Sequence, residues 1–237
     1  YGKLGNLIMT KEGINVLMTN LTGKVPPILQ RLDYIRFNGE AAGYLHDLTL
    51  TGLFHTGAGM VKTDVMMSID EQSMSRTYSG SVASADLDLG KLLNQEKKFG
   101  KVDFNVELKG FNYKNRYPES YIKGIISSFE YSQYQYENIM LDGVYKDGGF
   151  NGRLSMDDAN GSVQIDGNFN VAKTIPDFNL KASVKNLRPH DLHLSDKYEN
   201  ASISLGLTAD FTGKSIDDMN GRISLDSLQL NAPDEGG

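Results

Sequence analysis

The chain of 237 residues has no cysteine. That absence excludes a disulfide framework and any thiolate metal site, but it leaves the compartment open, because many envelope proteins avoid cysteine. No apolar run approaches the roughly 18 residues that a membrane helix needs, so this segment is not expected to cross a bilayer. Positive charge is not in excess either: 24 Lys+Arg against 30 Asp+Glu leave a formal net charge of -6. A nucleic-acid binder needs a basic face to displace counterions, so nucleic acid is not an expected partner. Proline is scarce, at 6 residues, whereas 25 glycines are spread along the whole length. An apolar share of 39% is enough to fold one large or two ordinary domains.

Catalytic motifs are missing as well. There is no Gly-x-Ser-x-Gly elbow, phosphate loop or dinucleotide fingerprint. His190-Asp191-Leu192-His193 is the one metal-like cluster, yet it follows Pro189 in loop-like sequence, and no further His or Cys offers a third ligand. His46 and His55 flank a strand-like run and read as surface residues. Asp86 and Asp88 read as the start of a short helix, where aspartate suits the cap and the dipole. Asp157-Asp158-Ala159-Asn160-Gly161 lacks the ligand spacing of a calcium loop and reads as a hairpin turn. The expectation is a protein without catalytic residues, metal or cofactor.

What the sequence does contain is period-two alternation. Val102, Phe104, Val106 and Leu108 are separated by Asp103, Asn105 and Glu107. The same period recurs at Phe178-Leu180-Ala182-Val184, at Ile203-Leu205-Leu207-Ala209-Phe211, and at Val61, Val65, Met67 and Ile69. Shorter stretches appear at Leu48-Leu50, Val163-Ile165 and Ile223-Leu225. Alternation makes each strand apolar on one face and wet on the other. Parallel α/β sheets would show continuous apolar runs instead, so the chain reads as antiparallel all-β.

Turn signals agree. Asp147-Gly148-Gly149 separates two strand-like runs as a hairpin turn, and Asp158-Ala159-Asn160-Gly161 and Asp166-Gly167-Asn168 read as further turns. Helical signals are few. Asp88 to Phe99, closed by Gly100, predicts one helix, and a second short one is predicted from Pro26-Pro27 through Leu32. Six tyrosines, Tyr113, Tyr117, Tyr121, Tyr131, Tyr134 and Tyr136, cluster as strand formers with wet tips. The opposite parity of Tyr131 and Tyr134 places a bulge or turn at Ser132-Gln133.

An approximate repeat of about 100 residues relates 82–130 to 184–230. Each copy holds an extended run, a connector, an alternating strand that ends beside glycine (Gly110, Gly213), and a second glycine-marked strand (Gly124, Gly221). Such arrays bury their faces against neighbours and tolerate continuation at both ends. Together with a first residue, Tyr1, that is not Met, this leads to the expectation that residues 1–237 are an internal or C-terminal segment of a longer protein.

Asp86-Leu87-Asp88-Leu89-Gly90-Lys91-Leu92-Leu93, a polar gap, and then Gly100-Lys101-Val102-Asp103-Phe104-Asn105-Val106-Glu107-Leu108-Lys109-Gly110 resemble the repeating phrase of the TamB/AsmA-like superfamily. The register continues through Phe150 to Leu154, Gly161 to Gly167 and Gly221 to Leu225, so the likeness covers most of residues 40–230. The resemblance implies an elongated antiparallel sheet curled into an open half-pipe, with an apolar concave face and few short helices. It implies a full-length protein anchored in the inner membrane and spanning the periplasm of a Gram-negative cell. Such proteins are thought to carry phospholipid to the outer membrane, or to help insert outer-membrane proteins with a β-barrel partner of the TamA/BamA type.

A sheet with one apolar face must cover it with a second sheet, by closure, with another chain or with lipid. The alternating rows carry no Lys, Arg, Asp or Glu, which suits a dry core and an acyl-chain groove equally. On the groove reading, phospholipid acyl chains meet Val61, Val65, Met67, Phe104, Val106, Leu108, Val163, Ile165, Phe178, Leu180, Val184, Ile203, Leu205, Leu207, Ile223 and Leu225. The alternative is a closed β-sandwich or jelly roll that binds carbohydrate or protein at a cell surface.

Overall fold

A computed structural model describes residues 2–22, 25, 27–44, 46–70, 72–73, 75–112, 119–170, 173–197, 199–214 and 218–232. The chain begins with β1 (Gly2–Thr10), the helix α1 (Lys11–Thr22) and a 3-10 turn at Leu29–Arg31. The strands β2 (Tyr34–Tyr44), β3 (Asp47–Thr56), β4 (Gly59–Ile69) and β5 (Arg76–Asp88) follow. The short helix α2 (Leu89–Leu93) leads to β6 (Phe99–Asn112), β7 (Glu119–Tyr131) and β8 (Tyr134–Lys146). The last strands are β9 (Gly149–Asp158), β10 (Gly161–Asn170), β11 (Asp177–Leu187), β12 (Ser202–Thr212) and β13 (Asn220–Asn231).

All thirteen strands join one antiparallel sheet in strict chain order, with β1 and β13 as its two edges. A sandwich or jelly roll needs two sheets and non-consecutive neighbours. The consecutive order therefore corrects the closed alternative. The chain divides into two compact units, residues 1–115 with 126–135 and residues 116–125 with 136–237.

In the first unit, paired residues sort the apolar side chains to one face, because directly opposed residues project to the same side. Phe37, Phe54, Val61, Ser84 and Phe104 form one such row across β2 to β6. At the end of this face α1 and α2 close a small core. Ile14 is 1% exposed, and Leu32, Ile35, Leu87, Leu92 and Val102 are buried around it. Thr10 accepts the amide of Gly13 at the start of α1, and Arg31 donates to the carbonyl of Leu92. In α2, Asp88 caps the amide of Lys91 at 2.8 Å, and Asn94, at φ 56°, ends the helix.

The second unit builds longer rows. Leu141, Leu154, Ile165, Ala182, Leu207 and Leu225 are opposed across β8 to β13. Ile139, Met156, Val163, Val184, Leu205 and Leu228 form the next row. An aromatic row, Tyr145, Phe150, Phe169, Phe178 and Phe211, borders them. Its rings Phe178 and Phe211 stack at 4.7 Å. The loop after β11 seals one end: Leu192 is completely buried, and Tyr136 donates its hydroxyl to the Leu192 carbonyl at 2.7 Å.

Glycines sit where facing strands approach closely. Gly143, Gly152 and Gly167 oppose one another across β8, β9 and β10. A Cβ on Gly152 would lie 2.3 Å from the Asp142 carbonyl oxygen, and one on Gly167, at φ +152°, 2.2 Å from that of Asn179. The ring of Phe150 lies over Gly143, just as that of Phe37 lies over Gly39 and Gly52. The row is a crease that only glycine can occupy, covered in part by neighbouring aromatics.

One irregularity occurs in both units. The β5–β6 register shifts between Ser84 and Leu87, across Asp86 at φ 57°. The β11–β12 register shifts between Val184 and Leu187, across Asn186 at φ 47°. Each bulge re-aims the chain into a connector whose buried leucine, Leu92 or Leu192, stands five residues beyond the bulge's own leucine. These positions keep a constant spacing of 100 residues.

Several local expectations change. The helix expected from Asp88 to Phe99 is α2 and ends at Leu93, because Asn94 takes the left-handed cap; Gly100 lies inside β6. The Pro26-Pro27 segment supplies only the 3-10 turn at Leu29–Arg31, and Pro26 lies outside the described residues. Asp166-Gly167-Asn168 is mid-strand in β10 and not a turn, since Gly167 serves the crease. Of the two aspartates assigned to the helix start, Asp88 caps it, whereas Asp86 forms the bulge and pairs with Lys101 at 3.1 Å. The helix α1 has no forewarning: Gly13, Asn15, Val16, Thr19 and Asn20 are poor helix formers, and packing of Ile14 and Met18 holds it. Ser132 and Gln133, both at positive φ, form the β7–β8 turn, and Asp147-Gly148 forms the β8–β9 turn.

Two substitutions test this packing. Gly152→Ala is expected to lower unfolding free energy by about 1–3 kcal/mol, because backbone on the facing strand must move. Ile14→Ala is expected to cost about 2–5 kcal/mol from the core beneath α1. Urea unfolding of both variants, with the m-value checked for constancy, measures each loss.

Candidate functional site

The candidate site is the apolar face of each unit, and register shows which of the assigned residues share a face within their own unit. In the first unit Val61, Val65 and Met67 share their face with Phe104, Val106 and Leu108, through the intervening Ser84, Val82, Gly80 and Tyr78 of β5. In the second, Val163 and Ile165 oppose Val184 and Ala182, and Phe178 and Leu180 oppose Phe211 and Ala209. Leu205 and Leu207 oppose Val184 and Ala182 from the other side, Ile203 opposes Leu187, and Ile223 and Leu225 complete the face on β13. The bulges in β11 and β13 keep the apolar side chains on this face despite the change of parity.

Sequence reasoning missed other members. Leu141, Phe150, Leu154, Met156 and Phe169 stand on the same face of the second unit, as does Phe211, which ends an alternating row but was not assigned to the groove. Phe150, Leu154 and Met156 do alternate, but Gly152 interrupts them, so the period-two signal was present and broken at the crease. Exposure shows how open the face is. Leu154 is 37% accessible, Ile223 49% and Leu225 54%. Among the described residues of this unit, only the 188–200 loop with Leu192 departs from the sheet to bury a large side chain completely.

A buried hydroxyl without a partner interrupts the face of the first unit. Thr63, between Gly52 and Val82, is 8% exposed, and its hydroxyl has no hydrogen-bond partner. A buried hydroxyl without a partner carries its desolvation cost uncompensated. Thr63→Val keeps the shape and is expected to raise stability by about 1 kcal/mol, measured by chemical denaturation.

The reverse face is wet and charged. In the second unit Asp142, Arg153, Asp166 and Lys181 oppose one another across four strands, alternating in sign. Arg153 Nε lies 2.6 Å from Asp166, and Lys123 Nζ lies 3.3 Å from Asp142. The Tyr121 hydroxyl, with help from Lys123, holds the Asp142 carboxyl below its ordinary value. The Gln164 amide and the Arg153 guanidinium do the same for Asp166. Both carboxylates titrate lower folded than unfolded, so their stabilisation is complete above the ordinary value of 3.8 and is lost as pH falls through the folded value. Asp166→Asn is therefore expected to lower the Tm at pH 7, with the difference from wild type shrinking as pH drops below 3.8. Calorimetry across pH 2–7 checks this.

The remaining polar candidates are structural in their contacts. Asp158 accepts the amides of Asn160 at 2.9 Å and Glu137 at 3.1 Å, which anchors the β9–β10 turn. His190 lies in turn structure, 3.6 Å from Asp191 and 3.9 Å from Glu199, and no group of three or more His, Asp or Glu among the described residues could hold a metal. His46 is exposed and stacks on Tyr44 with ring centroids 5.3 Å apart, and His55 lies within β3. Of the tyrosine cluster, Tyr113 and Tyr117 lie outside the described residues, while Tyr136 is buried against the Leu192 loop.

No family model, curated protein or solved structure matches the chain.

Proposed function

We propose that this chain is a lipid-binding conduit segment of a TamB-like envelope protein, working by binding and not by catalysis. In this reading it lies in the periplasm of a Gram-negative bacterium, within a longer protein anchored in the inner membrane. It moves phospholipid between the inner and outer membranes, or assists outer-membrane protein assembly beside a β-barrel partner of the TamA/BamA type. The observation that supports it best is the row set of the second unit: apolar, free of charge along its length, and accessible to about a third at Leu154 (37%) and to about half at Ile223 (49%) and Leu225 (54%).

The energetics fit a conduit better than a store. Transfer of an acyl chain from water to an apolar face gains about 0.8 kcal/mol per CH₂. Lipid leaving a bilayer gives up the same quantity, so a face that only matches the bilayer holds the chain without trapping it. Aliphatic rows without polar anchors provide that match.

Photoreactive residues placed at Leu205 and Phe104 are expected to crosslink to phospholipid, read by mass spectrometry of the purified chain. Crosslinks to protein alone, with no acyl chain retained, would refute the proposal. Leu205→Arg is expected to abolish lipid retention while far-UV circular dichroism stays unchanged, because an arginine on an open face can extend its guanidinium to water. If Leu205 belonged to a closed core, the same change would bury an unpaired charge and cost about 3–5 kcal/mol.

A further inference from the structure

An edge strand presents a row of backbone N–H and C=O groups that its own sheet does not pair, and a long apolar edge is a place where another strand adds. The strand β13 is such an edge: twelve residues, all exposed, with no Lys or Pro among them. Ile223, Leu225, Leu228 and Leu230 carry the apolar rows out to it, the last two more than half exposed. Strand addition would cover the open backbone and these side chains together.

The charges of β13 say which strand fits. It holds one cation, Arg222, and one anion, Asp226. Arg222 opposes Asp210 of β12 on the wet face. Asp226 is the extra residue where the β12–β13 register shifts, and it accepts the Thr208 hydroxyl at 3.3 Å, which sets it on the wet face too. Thr208 belongs to that face because it opposes Lys181. Arg222 and Asp226 stand two residues either side of Ser224. A second β13 laid antiparallel, with a two-fold axis at Ser224, therefore places Arg222 opposite the partner's Asp226, and Asp226 opposite the partner's Arg222. The same register sets Ile223 opposite the partner's Leu225, and the reverse, so apolar meets apolar on one face while opposite charges meet on the other. Moving the axis to Ile223 or Leu225 turns Arg222 against Ser224 or Leu228 and loses both ion pairs.

We infer that β13 is a self-pairing edge through which two copies of this chain join as a symmetric dimer. The row of Leu207 and Leu225 then runs on into the partner's Ile223, and the charges alternate from Asp210 through Arg222 to the partner's Asp226. Both copies use the same patch, so the pairing consumes the edge and closes at two. It depends on the strand edge and stands or falls apart from the lipid reading.

Sedimentation velocity of the whole chain over a concentration series is expected to show a species of twice 26.2 kDa. Arg222→Glu and Asp226→Lys each set like charges opposite one another at both pairs, and each alone is expected to weaken association by roughly tenfold or more. An equal mixture of the two variants opposes unlike charges at both pairs and is expected to restore the dimer. Ser224→Cys supplies a measure that leaves the charges untouched. Opposed Cα atoms lie about 4.5–5.5 Å apart, within the span of a disulfide, and the chain has no other cysteine. Mild oxidation is expected to yield a covalent dimer of Ser224→Cys and none of Ser227→Cys. A wild type that stays monomeric, oligomers larger than two, failure of the mixture to dimerise, or crosslinking through Ser227→Cys in place of Ser224→Cys overturns the inference.

Discussion

Cross-strand register between consecutive strands governs this protein, because a slip of one residue would carry every apolar side chain of a strand to the wet face. The pairings of Val163 with Val184 and of Val184 with Leu205 hold three apolar side chains to one side. The same pairings hold Asp166 opposite Lys181 on the other. The apolar rows and the charge ladder are therefore one property seen from two sides. The bulges at Asp86 and Asn186 serve that register too, since each resets parity before a leucine that must stay on the apolar face.

The crease imposes the second constraint. At Gly152 and Gly167 the facing carbonyl occupies the space where a Cβ would stand, so the close approach of backbone is encoded by leaving side chains out. The cost is a gap in the apolar face at these positions; the ring of Phe150 covers part of it over Gly143, and in the first unit Phe37 does the same over Gly39 and Gly52. Glycine abundance and aromatic placement are thereby coupled, and neither is a matter of loose composition. The first unit adds a small helix-capped core at one end of its face, and the second adds the Leu192 loop, so burial is concentrated where chain connections can fold back.

Much of the strand content was legible in the residues. The alternation of Val102 to Leu108 and of Ile203 to Phe211 survives as β6 and β12, and Asp147-Gly148 is the hairpin turn that its residues demand. Less legible were the elements that depend on contacts distant in sequence. The helix α1 has weak intrinsic propensity and exists because Ile14 finds a cavity among Leu32, Ile35 and Leu92. Gly167 looks like a turn residue beside Asp166 and Asn168, and only its approach to Asn179 on β11 shows that it makes room for facing backbone within a strand. Phe150 and Leu154 were hidden for the same reason, with Gly152 breaking their period.

Alternation, turn chemistry and the absence of charge in the apolar rows are local quantities, readable within a few residues, and they alone determine an antiparallel all-β chain with one greasy face. Which strands are neighbours, and whether a second sheet covers that face, depends on pairing between segments that the chain brings together only when folded. The tertiary structure decides both. Strict chain order lets the apolar rows of each unit extend through adjacent strands, and β13 ends the sheet with all twelve of its residues exposed.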